Sequence, residues 1–289
     1  MLEGMGSLAF SALAASGPLV LAALGGLATE AAGSLSIAIE GYMLIGAFSA
    51  AACGQATGSF GLGLAAGAVA GMFLSLLVAS AHRYLRADVF VAGLAANILA
   101  PGLASVVSQA AYRTKGVLPA EAIRSNPVVI LCLLAIFSLA LALLLSKSAF
   151  GLRLRAVGEG DDIAKAAGIE SGRYRFVAHI IAGASSGFAG ATLAAGVGAY
   201  VPGMSTGRGW IALVAVFLGG RRTAGVTGAC LLFGLLFALA NSAQAFGSQG
   251  QASSAPVDMT ELLQALPFIA TAIALTLWKR VERRGRETR

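Results

Sequence analysis

Six ionisable or amide residues stand inside otherwise apolar runs: Glu40, Asn97, Gln109, His179, Asn241 and Gln244. At membrane depth such groups are costly and serve packing, proton movement or solute contact. Glu40 follows SLSIAI and precedes Gly41, where a helix can break. It reads as a structural anchor, as part of a solute path, or as a carboxylate at the membrane interface. Asn97 and Asn241 suit bonds across helices or contact with solute, the first being the commoner use. His179 falls near one end of its apolar run and reads as interfacial rather than as a proton relay. Gln109 and Gln244 belong near the outer face. No catalytic set emerges: GxxxxGK[ST], HExxH and Cys/His clusters are all missing from the sequence. The chemistry open to these residues is recognition through hydrogen bonds.

Two further stretches depart from the apolar background. Residues 147–175, KSAFGLRLRAVGEGDDIAKAAGIESGRYR, form a polar, basic connection. Asp161 suits a helix N-cap, residues 163–167 one or two helical turns, and Gly168 a left-handed C-cap. A short helix outside the bilayer is expected there, a handle through which a soluble motor could act. Residues 201–220 read VPGMSTGRGWIALVAVFLGG. Pro202, Gly203, Gly207 and Gly209 preclude a regular helix at the start, and a short helix follows from Trp210. Unwound backbone at membrane depth survives only beside protein or a water-filled cavity. The stretch, with Met204 and Ser205, is a candidate for a solute path. An external loop with an interfacial Trp210 fits the composition equally.

These residues must be held by membrane helices. The chain is 57% apolar and 11% charged, with 38 glycines and a mean hydropathy of +0.83. Soluble domains carry about 25% charged residues. Continuous hydrophobicity rich in Gly and Ala predicts helices, since barrel strands would alternate. The expected fold is all-α: one polytopic transmembrane bundle over residues 1–289, with about eight to ten segments, some of them broken. Spans are expected at 10–28, 41–57, 60–81, 88–111, 127–146, 176–198, 208–220, 223–246 and 262–279. The last but two is short for a full crossing, and 29–40 is too polar for an ordinary one. Gly63, Gly67 and Gly71, and likewise Gly183 and Gly187, repeat every four residues and predict close helix packing.

Placing 147–175 in the cytoplasm puts sixteen of the twenty basic residues inside, including the tail 279–289. Retention of positive charge on that side predicts such a bias. The C-terminus is then cytoplasmic and the N-terminus, which carries Glu3 but no basic n-region, external and uncleaved. Cys53, Cys132 and Cys230 stand singly and point to neither disulfides nor zinc. The net charge of +7 sits in loops and tail, a membrane-protein pattern that does not indicate nucleic-acid binding.

Four stretches resemble the permease subunits of ABC importers in the branched-chain amino acid, ribose and nucleoside group. SLSIAIEGYMLIGAF (34–48) is similar to N-I-G-x-E-G-x-M-L-x-G-A-F, and LRADVFVAGLAANILAPGL (85–103) to L-R-A-D-x-x-x-x-G-L-A-x-N. GLRLRAVGEGDDIAKAAGI (151–169) resembles the cytoplasmic coupling segment. The 201–220 stretch resembles P-x-M-x-x-G-x-G-[FW]-I-A-L-A of the nucleoside and simple-sugar type. The resemblance implies that Gly158, Asp161, Ala166, Ala167, Gly168 and Ile169 form or flank the helix that docks on an ATPase. It places Ser36, Glu40, Asn97, Pro202, Met204, Ser205, Trp210 and Asn241 near the translocation path. Ser36 and Gly203 stand where the family commonly has Asn, which makes riboflavin a rival to a nucleoside.

The implied role is a non-catalytic permease of an ATP-driven importer in the bacterial cytoplasmic membrane, working by alternating access. The implied partners are ATPase subunits using ATP and Mg, a second and non-identical permease, an external solute-binding lipoprotein, and membrane lipid. No cofactor is expected on this chain. A simple sugar or a branched-chain amino acid is an alternative solute. An ion-driven secondary carrier would need midplane ionisable residues and repeated halves; a non-transporting scaffold would leave the 161–168 helix unexplained.

Overall fold

The computed structural model describes residues 2–205 and 207–247. Among these residues ten α-helices follow one another: α1 (Leu2–Ala31), α2 (Ile39–Thr57), α3 (Phe60–Leu85), α4 (Val89–Tyr112), α5 (Pro127–Lys147), α6 (Ala149–Glu159), α7 (Asp161–Ala166), α8 (Ser171–Val197), α9 (Arg208–Leu218) and α10 (Thr223–Gly247). Two short strands, β1 (Leu118–Pro119) and β2 (Ala199–Tyr200), pair antiparallel with Leu118 opposite Tyr200. They tie the α4–α5 connection to the α8–α9 connection at the end of the bundle opposite α6 and α7. The expected span 262–279 lies outside the described residues.

Among the described residues six helices are long and apolar enough to cross a membrane: Leu8–Ala31 within α1, then α3, α4, α5, α8 and Thr223–Ser242 within α10. They make the chain a multi-pass membrane protein. The 19-residue α2 is long enough but less apolar, because much of it is buried inside the bundle. It packs on α3, α8, α4 and α9. A helix enclosed by protein needs no lipid-facing stripe, and α2 instead carries small residues. By contrast α5, with most of its surface outside the core, is the most apolar of the six.

The glycine repeats are the contact between α2, α3 and α8. A Cβ added at Gly46 would stand 2.6 Å from the Gly187 Cα. One added at Gly67 would meet the Gly46 carbonyl oxygen at 2.7 Å, and one at Gly187 the Gly71 Cα at 2.9 Å. Apolar burial gives little drive between helices in lipid, so backbone approach and dispersion contacts hold this junction.

Two irregular stretches interrupt the bundle, as the polar run 29–40 and the glycine-rich run after 201 lead one to expect. The first joins α1 to α2 through residues 32–38; the second descends from β2 to α9. The short α9 begins at Arg208 rather than Trp210 and contains Gly209. An eleven-residue helix is about 16 Å long, roughly half of a ~30 Å hydrocarbon core. Its C-terminal end lies beside the α6/α7 end of the bundle, where Arg221 pairs with Glu30 at 2.7 Å. The N-terminus of α9 is therefore near mid-depth.

Candidate functional site

The mid-depth junction of α2, α4 and α9 gathers Ser36, Glu40 and Asn97. In an unbroken helix the Gly41 N–H would donate to the Ile37 carbonyl, four residues back. Here the Asn97 side chain from α4 stands between them. Its Oδ1 accepts from Gly41 N at 2.8 Å and its Nδ2 donates to Ile37 O at 2.9 Å. One amide thus substitutes for a single rung of the helical ladder and holds the chain open just before α2. Gly41 permits the approach: a Cβ there would lie 2.8 Å from the Ala96 carbonyl oxygen.

The rest of the break is satisfied with equal economy. Ser36 N donates to Thr29 Oγ1 at 3.1 Å, and Thr29 Oγ1 donates to Gly26 O at 2.8 Å. The Ser36 hydroxyl shares a 3.2 Å hydrogen bond with the Tyr42 hydroxyl, both fully buried. Ser34 Oγ bonds His179 Nε2 at 3.0 Å. His179 is 1% exposed, so it serves this internal contact instead of the interface expected from its place in the sequence.

Glu40, in the first turn of α2, caps another helix. Its Oε2 accepts from Gly209 N at 2.8 Å and its Oε1 from Gly207 N at 3.1 Å. These are N–H groups at the start of α9 that the helix itself leaves unsatisfied. The carboxylate stands at the N-terminal ends of two helices, α2 and α9. Gly207 takes the left-handed φ of +76° that the turn into α9 requires.

Of the other residues proposed for a path, Ser205 is buried, Met204 is half-buried, and Pro202, Trp210 and Asn241 are exposed. Met204 and Arg208 line a cavity of about 340 Å³ between the 201–208 stretch, α1, α5 and α8. Arg208 is a residue that sequence reasoning passed over as an external loop cation. The structure sets its guanidinium 5.9 Å from the centre of the Phe237 ring. The signal available was its position as the one cation within 176–220.

At the α6/α7 end, the 147–175 stretch holds two helices where one was expected. α6 is fixed to α8 by stacking of Phe150 on Tyr174, with ring centres 5.7 Å apart, and by Arg153 Nη1 donating to Tyr174 Oη at 3.2 Å. Gly158 brings α6 against the end of α1, since a Cβ there would stand 3.0 Å from the Ala31 carbonyl carbon. α7 ends as expected. Gly168, at φ +70°, donates to Lys165 O, and Ile169 N donates to Ala164 O, the pair of bonds of a Schellman cap. Its start differs. Gly160 is the N-cap and Asp161 the first helical residue, because the Asp161 carboxylate is drawn to Arg175 at 2.9 Å.

Ala166, Ala167 and Gly168 are exposed and Ile169 is half-buried. Ala167, Gly168 and Ile169 line a cleft of about 670 Å³ with Phe150, Arg153 and Arg173. Among the described residues there is no group of three or more His, Cys, Asp or Glu side chains able to hold a metal ion.

A family model described as branched-chain amino acid transport system / permease component matches residues 8–272. The chain belongs to this permease family. It is 32% identical over 286 residues to the nucleoside ABC transporter permease protein NupC of Lactococcus lactis, covering 90% of this chain and 88% of that one. It is 32% identical over 289 residues to the guanosine ABC transporter permease protein NupQ of Bacillus subtilis, with the same coverage of 90% and 88%. The putative glucose ABC transporter permease protein TsgC13 of Haloferax volcanii is 33% identical over 241 residues, 76% of this chain and 73% of that one. No solved structure matches the permease. As the membrane component of an ABC transporter it is non-catalytic, and such a permease implies an ATPase and a binding protein.

Proposed function

We propose that this permease imports a nucleoside, or a similarly small neutral solute, across the bacterial cytoplasmic membrane by alternating access. The observation that carries the reading is end-to-end similarity to two relatives named for nucleoside and guanosine transport. The mid-depth junction supports it. The N–H groups of Gly207 and Gly209, where a solute anion would find donors, already serve Glu40. Beside them the cavity wall is largely apolar and carries the Arg208 guanidinium, a donor for the oxygen atoms of a small polar molecule.

In this reading α6 and α7 face the cytoplasm and receive the ATPase. Ten of the fourteen Lys and Arg residues among those described lie at that end, as retention of positive charge inside predicts. The ATPase dimer, using ATP and Mg, pushes on the exposed surface of Ala166, Ala167 and Gly168, and the helices reorganise around Ser36, Glu40 and Asn97. The C-terminus is cytoplasmic. A second, non-identical permease completes the pathway, and an external lipoprotein delivers the solute.

The test is uptake by vesicles carrying this chain with its neighbouring permease, ATPase and binding protein. Labelled guanosine, uridine, riboflavin, ribose, glucose and leucine are offered in turn. ATP-dependent uptake of a nucleoside is expected, with loss of uptake and of bound ATPase in Ala167→Glu. Uptake of glucose alone would move the solute to the sugar class, the reading favoured by the Haloferax relative. Uptake that persists without ATPase but collapses with the proton gradient would overturn the reading altogether.

A further inference from the structure

We infer that Arg175 is the positioning residue that conveys movement of α7 to the break between α1 and α2, and so to the mid-depth junction. The inference rests on the proposed docking of an ATPase at α6 and α7. Arg175 stands in the second turn of α8 and is itself 26% exposed. Its Nη2 lies 2.9 Å from Asp161 Oδ1 at the start of α7. Its Nη1 reaches Asp161 Oδ2 at 3.5 Å. Its Nε turns the other way and donates to the Ala32 carbonyl at 3.2 Å. Ala32 is the first residue beyond α1, and its carbonyl lies where the helix can no longer satisfy it. A single planar guanidinium therefore joins an exposed helix to the open end of a buried one.

The point it grips is a node. Glu30 holds Arg221, just beyond the C-terminal end of α9. Gly33, at φ +68°, lies against Gly158 of α6. Four positions from Glu30 to Gly33 thus collect α6, α7, α8 and the α9–α10 turn. From there the chain climbs through Ser34 and Ser36 to Glu40, which caps the other end of α9. The same short helix is held at both ends by groups that flank the α1–α2 break. Displacing Ala32 displaces both holds. Lysine cannot do this work: one ammonium can pair with Asp161, but it lacks the second, fixed arm that reaches Ala32.

The experiment compares wild type, Arg175→Lys and Arg175→Gln in proteoliposomes that hold the whole importer. Three quantities are read: ATPase retained on the permease, ATP hydrolysed, and labelled guanosine taken up. Both variants should retain the ATPase. Hydrolysis should stay within about twofold of wild type while uptake per ATP falls about tenfold or more, the range of a coupling loss. A wild-type ratio in Arg175→Lys overturns the inference and leaves the import reading standing. Loss of ATPase retention in either variant makes Arg175 part of the docking surface and also overturns it. If wild type itself shows no ATP-dependent uptake of any of the six solutes, the import reading fails, and the inference with it.

Discussion

The Glu40 carboxylate and the Gly209 N–H meet at 2.8 Å although 169 residues separate them in the chain. The contact is specific to glycine. A Cβ at position 209 would lie 2.6 Å from the Glu40 Cα, so any other residue forces α2 and α9 apart. Two discontinuous helices thereby share one anion, and its loss should be felt in both.

Replacing Glu40 tests this directly. Glu40→Ala leaves two N–H groups at the start of α9 without their acceptor, at a cost of about 1–3 kcal/mol each when they stay dry. Glu40→Gln keeps one side-chain oxygen and should be milder. Thermal unfolding of the detergent-solubilised complex should rank wild type above Gln and Gln above Ala. Equal midpoints for all three would show that the cap contributes nothing.

Asn97 offers a separate prediction. Asn97→Leu removes the amide between Ile37 and Gly41, so the Gly41 N–H can return to the Ile37 carbonyl and α2 gains a rung. Uptake should fall sharply while the protein still inserts. Asn97→Asp retains an acceptor for Gly41 and loses the donor for Ile37, so it should fall between the two. Uptake by Asn97→Leu at the wild-type rate would overturn this role.

The glycine junction predicts a sharp contrast between positions on one helix. Gly187→Val drives a branched side chain into Gly67 and Gly71 of α3 and should cost about 1–3 kcal/mol or more. Gly196→Val, on the same helix, meets nothing within 4 Å and should leave the unfolding midpoint close to wild type. A comparable loss at both sites would contradict the packing assignment, since Val has the higher helix propensity and on that ground would cost nothing at either.

The clasp between α7 and α8 has a defined pH dependence. The Ser171 hydroxyl and the Arg175 guanidinium beside it hold the Asp161 carboxyl below its ordinary value of 3.8. A carboxylate lowered in the folded state stabilises above its unfolded pKa and loses that contribution as pH falls through the folded one. The clasp is therefore fully present at neutral pH and down to about pH 5, and weakens only in stronger acid. Amide exchange in residues 161–168, corrected for intrinsic rates, should stay flat from pH 8 to 5. A rise within that window would contradict the assignment.

Much of the bundle is legible in the sequence because lipid imposes a simple rule. The uncharged run from Pro127 predicts α5 to within a residue of its end, and the polar run 29–40 predicts the break that residues 32–38 form. Gly168 announces its left-handed cap through the steric freedom that only glycine has. The partners of Glu40 and Asn97 were not legible, since both bond backbone groups, which every residue carries alike. The same holds for Arg175, whose second partner is a carbonyl 143 residues away. Asp161 misled for a related reason: an N-cap preference of about 1 kcal/mol gives way to a cation supplied by another helix. Helix α6 was missed because its glycines and arginines resemble loop composition, and its contacts with α1 and α8 decide its form.

The amide that keeps α2 open belongs to a helix synthesised later. When Ile39–Thr57 leaves the ribosome, nothing competes for the Gly41 N–H, and the backbone is free to close that rung. Only after Val89–Tyr112 has followed can Asn97 wedge into it. The open start of α2 is thus a late step in biogenesis, and a nascent chain ending at Leu85 carries a second helix one rung longer than that of the finished protein.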